Sequence, residues 1–151
     1  MKNTIRKGLG VFTAIGLVAA TAVTASATSV SGFAGQPQNP GQYDCFTNAG
    51  GNVTNQCSGT LQYCVALPST QTGHDVKVSV TAPSTADDIS CFASSAYNTG
   101  YPASSSWPPR FPTVIGQPFQ IDLGSVTVPD QGGLWTCCNM AQGSTLNSIQ
   151  F

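Results

Sequence analysis

The sequence predicts an all-β fold: an antiparallel β-sandwich of about seven or eight short strands stapled by disulfides, with a small barrel as the alternative. Three observations predict it. Apolar residues recur at every second position over short runs, and no window holds them at helical spacing for three turns. All ten prolines fall after residue 27, at the ends of those runs or between them. Six cysteines, an even number, follow an export-like N-terminus, a pattern that reads as three disulfides formed in an oxidising compartment.

Residues 1–27 read as a signal peptide. Lys2, Arg6 and Lys7 precede an apolar run from Leu9 to about Val23, and Ala25-Ser26-Ala27 gives the small-x-small pattern of a cleavage site. The expected location is therefore secreted and extracellular, or periplasmic in a bacterium, with no membrane insertion after cleavage. Residues 28–42, polar and carrying Pro37 and Pro40, read as a flexible lead-in. Residues 43–151 then form one sandwich domain, within the usual size range for a single core.

The strands follow in order. "YDCF" (Tyr43–Phe46) is a short candidate. "LQYCVAL" places Leu61, Tyr63, Val65 and Leu67 on one face. "DVKVSVTA" turns Val76, Val78 and Val80 inward and Lys77, Ser79 and Thr81 outward, and Pro83 ends it. "DISCFAS" groups Ile89, Cys91 and Ala93. "PFQIDL" alternates Phe119, Ile121 and Leu123 against Gln120 and Asp122, and "SVTV" adds Val126 and Val128. "GLWTCCNM" and "TLNSIQF" close the chain. Between "DISCFAS" and "PFQIDL", Ser94–Pro118 breaks the rhythm. Pro102, Pro108, Pro109, Pro112 and Pro118 disfavour a central strand, so a long surface loop is expected, with Phe111–Ile115 at a sheet edge.

The adjacent Cys137 and Cys138 are readable from the strand geometry. Successive side chains leave opposite faces, so Leu134, Thr136 and Cys138 share one side and Trp135, Cys137 and Asn139 the other. One cysteine should bond inward, across the sandwich, and the other outward, pinning a loop or the N-terminal segment. Their partners are expected among Cys45, Cys64 and Cys91, with Cys91 the inward one; Cys57 completes the set of six.

Charge excludes some functions. After residue 27 only Lys77 and Arg110 face six aspartates, so no basic patch is available for nucleic acid or for an anionic membrane. No CxxC pair occurs and there is one histidine, so no metal site is expected, and no motif calls for a cofactor. A catalytic triad would have to use His74, whose neighbour Asp75 should point to the opposite face, and the chain has no Glu for paired-carboxylate chemistry. A non-catalytic binding or structural role at the cell exterior is therefore expected, with a secreted hydrolase using His74 as one alternative. The long loop offers Tyr97, Tyr101, Trp107, Arg110 and Phe111 among Ser, Asn and Gly. Aromatic faces beside hydroxyls and amides suit sugar rings, and equally an extracellular protein partner. Trp107 and Phe111 could instead fold back over the end of the sandwich. Arg110 in "WPPRFP" could also be the bait residue of a protease inhibitor.

Overall fold

The computed structural model describes residues 28–68 and 73–151. The expected signal peptide, residues 1–27, lies outside the described residues. The described residues form eleven strands: β1 Ser29–Ser31, β2 Gln36–Pro37, β3 Phe46–Ala49, β4 Asn52–Asn55, β5 Leu61–Leu67, β6 Gly73–Thr81, β7 Ile89–Ala96, β8 Pro102–Ser105, β9 Phe119–Thr127, β10 Gly133–Met140 and β11 Thr145–Gln150. They form two antiparallel sheets. Sheet A runs β3-β4-β11-β6-β9, with β1 also pairing β11; sheet B runs β2-β5-β10-β7-β8. Both orders are open, so the fold is a sandwich and not a closed barrel.

Alternation builds the core. Val76, Val78, Val80, Ile121, Leu123, Val126, Leu146 and Ile149 of sheet A meet Tyr63, Val65, Leu67, Ile89, Ala93, Leu134 and Met140 of sheet B, all buried. Buried polar groups tie the layers together. Asn55, 0 % exposed, donates to the carbonyls of Met140 (2.8 Å) and Gly59 (3.1 Å) and accepts from the Cys57 amide (3.0 Å). The Ser95 hydroxyl donates to the Thr127 carbonyl at 2.7 Å, and that of Ser144 to the Asp88 carbonyl at 2.7 Å.

Several boundaries differ from the sequence reading, each for a physical reason. Residues 28–42 carry two short strands: β1 continues the edge that β4 leaves short on β11, and β2 adds an edge strand to β5. Both segments are too brief to show periodicity. "YDCF" is mostly a 3-10 turn, Pro40–Cys45, and the strand begins only at Phe46. The segment Ser94–Pro118 is not one loop. It continues β7 to Ala96, forms β8, and then zips Ser106 and Arg110 onto β7: the Ser106 amide donates to Ala93 O at 2.9 Å, and Arg110 and Cys91 exchange amide–carbonyl bonds of 2.8 and 2.9 Å. An edge position tolerates the prolines, because a missing N–H there costs the sheet nothing on its solvent side. Phe111–Ile115, expected at a sheet edge, carries no strand.

All six cysteines are bonded, as Cys45–Cys57, Cys64–Cys137 and Cys91–Cys138. Cys137 and Cys138 take Cys64 and Cys91 as expected, but neither bond crosses between the sheets. β10 lies between β5 and β7, with Cys137 level with Cys64 and Cys138 level with Cys91. Each bond staples two neighbouring strands at a Cα separation of 4.1 Å. The Cys91–Cys138 bond faces the core, and Cys64–Cys137 faces the outside of sheet B.

Candidate functional site

The outer face of sheet B carries a groove of about 640 Å³. Its floor is the Cys64–Cys137 disulfide with Ala66, its aromatic side is Phe92 and Trp135, and its wall is the backbone-rich segment Ala34–Gln38. The strand register explains the grouping. Gln36, Cys64, Cys137 and Phe92 stand side by side on β2, β5, β10 and β7, each at outward parity. Trp135 lies two residues along β10 from Cys137, level with Ala66 and Ser94. Trp107, from the segment after β8, meets Phe92 edge-on with ring centroids 5.5 Å apart. The aromatic row is therefore oblique to the strands, with Trp135 two residues along from the level of Phe92 and Trp107 packed on Phe92.

A polar ladder runs beside it. Gln62 donates through Nε2 to Asn139 Oδ1 at 3.1 Å, and Asn139 Nδ2 donates to Ser90 Oγ at 3.4 Å. These three residues are one pleat away from the row Cys64–Cys137–Phe92. Gln36 and Gln38 supply further amides from the wall, and Tyr43 donates to Gln36 Oε1 at 3.2 Å. No charged residue lines the groove. Both shifted titratable groups lie off it. Burial, with the nearby Tyr43, pushes the Tyr63 phenol up on the inward face of β5. The Thr85 backbone amide, aided by Ser84 and the hydroxyls of both residues, holds the Asp88 carboxyl low against the opposing effect of burial.

Of the five loop residues named from the sequence, Trp107 and Arg110 line one cleft, Tyr97 and Tyr101 share a turn, and Phe111 stands apart from both. Trp107 joins the aromatic row while remaining 67 % exposed, so it does not fold away over the sandwich. Tyr97 and Tyr101 sit exposed at the tip of the β7–β8 connection, where the Tyr97 amide donates to Tyr101 O at 2.9 Å. Phe111 is exposed as well. Arg110 is anchored rather than projecting: its main chain is paired with Cys91, and its Nη1 donates to Asp122 O on β9 at 2.8 Å. A bait arginine has to leave its scaffold to fill a protease pocket, and this one is held at both ends. His74 stands in β6 level with Val126, its ring 6.0 Å from that of Phe151. Among the described residues no group of three or more His, Cys, Asp or Glu could hold a metal ion.

The sequence reading missed Phe92 and Gln62, and it put Trp135 and Asn139 on one face of their strand without linking them to a site. The available signal was an aromatic at outward parity in a strand whose other outward residues are small or polar, as Phe92 is between Ser90 and Ser94.

Comparison with known proteins adds little. No family model matches the chain, and no curated protein matches it. Among solved structures it is similar to a Podospora anserina GH26-CBM35 β-(1,4)-mannanase, with 12 % sequence identity and a TM-score of 0.49. The match covers 82 % of this chain and 27 % of that one, so the chain spans about a quarter of the mannanase's length. Among the described residues no helix is long and apolar enough to cross a membrane, and three disulfides fit an oxidising environment.

Proposed function

We propose that the protein is an exported, non-catalytic module that binds a glycan chain across the outer face of sheet B. The observation that carries this reading is the uncharged groove itself, lined by Phe92 and Trp135 and by Gln62, which begins a hydrogen-bonded amide ladder. A pyranose ring presents C–H groups on its faces and hydroxyls around its rim. Trp135, Phe92 and Trp107 offer apolar surface to the faces. Gln62, Asn139, Ser90 and Gln36 offer donors and acceptors to the rim. The groove is walled on one side and open along its length, which suits one chain and not a crystalline sheet of chains. Rigid strands hold every contact residue except Trp107, so little ordering accompanies binding.

The test is affinity electrophoresis and calorimetry against a panel of soluble plant, fungal and bacterial polysaccharides. At least one should bind, quench tryptophan fluorescence, and lose about tenfold in affinity with Trp135→Ala. A panel with no binder, or a binder indifferent to Trp135→Ala, refutes the groove as the site.

A further inference from the structure

A second cleft, of about 460 Å³, lies on the far side of Trp107. Trp107, Pro108, Pro109 and Arg110 form one wall, and Leu123, Gly124 and Ser125 of β9 the other. It differs from the groove by holding a charge. Its polar lining is rich in donors: the Arg110 guanidinium and the hydroxyls of Ser105, Ser106 and Ser125. The Ser105 hydroxyl oxygen accepts from the Trp107 amide at 3.2 Å, which leaves its own O–H to donate. Ser106 is committed to β7, accepting from the Ala93 amide at 2.8 Å and reaching Ala93 O at 3.4 Å. No acidic residue lines the cleft. Asp122 is close in sequence to β9's lining residues, but its Oδ1 accepts from the Gly124 amide at 2.8 Å, and its register partner on β6 is Lys77.

The guanidinium is also fixed in place. Its backbone is paired with β7, and one of its N–H groups is bonded to β9. The remaining N–H groups stay available, in the planar fork that matches a carboxylate. An aromatic ring next to a pre-positioned guanidinium, in a cleft without acids, favours an anionic ligand that itself carries a ring.

We propose that this cleft binds the carboxylate of an acidic sugar unit belonging to the same chain whose neutral units occupy the groove. The inference rests on the groove reading, because Trp107, which walls the cleft, packs against Phe92 of the groove and so leads from one to the other. The glycan class it selects is a uronate-bearing polysaccharide rather than a wholly neutral one.

Calorimetry with matched pairs tests it: oligosaccharides of glucuronoxylan and of polygalacturonate, each beside its carboxyl-reduced form. At least one acid form should bind about tenfold or more tightly than its reduced form, as expected for a charge-assisted contact. Arg110→Gln should erase that difference and leave the reduced form's affinity unchanged, and Trp135→Ala should weaken both forms. Equal binding within both pairs, or an acid preference that survives Arg110→Gln, overturns the cleft assignment alone. N-acetylphenylalanine binding as tightly as the acid oligosaccharide, and abolished by Arg110→Gln, overturns the sugar as the source of the carboxylate. Absence of any binding overturns both this inference and the groove reading. The wild-type comparison within each pair needs no variant, so it decides the matter even where Arg110→Gln folds poorly.

Discussion

At the scale of single residues the buried polar side chains among the described residues are satisfied, with one exception. Thr136 is 0 % exposed, faces the core between Leu134 and Cys138, and its hydroxyl has no hydrogen-bond partner. A buried hydroxyl without a partner keeps its desolvation cost and gains nothing in return. Valine has the same shape without the polar atom. Thr136→Val should therefore raise stability by about 1 kcal/mol, a shift of roughly 4 °C in Tm for a domain of this size. Thermal denaturation followed by circular dichroism checks it, and a fall in Tm would show that the hydroxyl makes a contact through an ordered water. The sequence grouped Thr136 with Leu134 and Cys138 on one face, since parity alone decides that, and that face is the buried one. It could not show the orphaned hydroxyl, because what faces Thr136 is set by the opposite sheet. The site residues divide in the same way. Trp107 was recognisable as an exposed aromatic among polar neighbours. Its partner Phe92 was not, because 15 residues separate them and only the pairing of β7 with the 106–110 segment brings them together.

At the scale of elements, most strands were legible and their irregularities were not. β9 shows why. The inward set is Ile121 and Leu123, then Val126 and Val128, so the parity changes between them. Alternation read literally makes two strands. The chain instead keeps one strand and inserts a bulge, where Lys77 is level with Asp122 and Val76 with Gly124. Gly124 occupies the bulge at φ +81°, a conformation that disfavours any side chain. β11 solves the same problem between Leu146 and Ser148, which returns both Leu146 and Ile149 to the core. The β3–β4 hairpin escaped notice because its strands are four residues each, although Gly50-Gly51 is a strong two-residue turn signal, with φ of 58° and 89°. Gly124→Ala isolates the bulge. The new methyl would lie 3.6 Å from Arg110 Nη2, an ordinary contact, so its cost is conformational. Stability in urea should fall by about 1 kcal/mol, up to about 2. No change would mean that β9 relaxes to a regular strand at no cost.

At the scale of the molecule the arrangement of disulfides follows from the position of β10, and that position is what periodicity cannot supply. Alternation reports which face a side chain takes, never which strand lies beside it. Adjacent cysteines on a central strand must point to opposite faces, and with a neighbour on each side they can staple both. The result is a β5–β10–β7 unit held above and below the sheet, with the groove built on its outer side. The three bonds close segments of 73, 47 and 12 residues, for Cys64–Cys137, Cys91–Cys138 and Cys45–Cys57 respectively. Loop entropy alone assigns about 4 kcal/mol to each of the first two and about 3 kcal/mol to the third. Packing separates the first two. Cys91 and Cys138 are both 0 % exposed in the core, so replacing them with Ala also removes two buried sulfurs and leaves a void. Cys64 lines the open groove, where water fills the gap. The paired Cys→Ala variants should therefore rank in stability as 45/57 above 64/137 above 91/138, measured by equilibrium urea unfolding of the three purified proteins. The 64/137 variant should also lose glycan binding more than its stability loss explains, because its bond is the groove floor. Stability with 91/138 removed that equals or exceeds that with 64/137 removed would locate the decisive constraint on the outer face of sheet B, and not in the core.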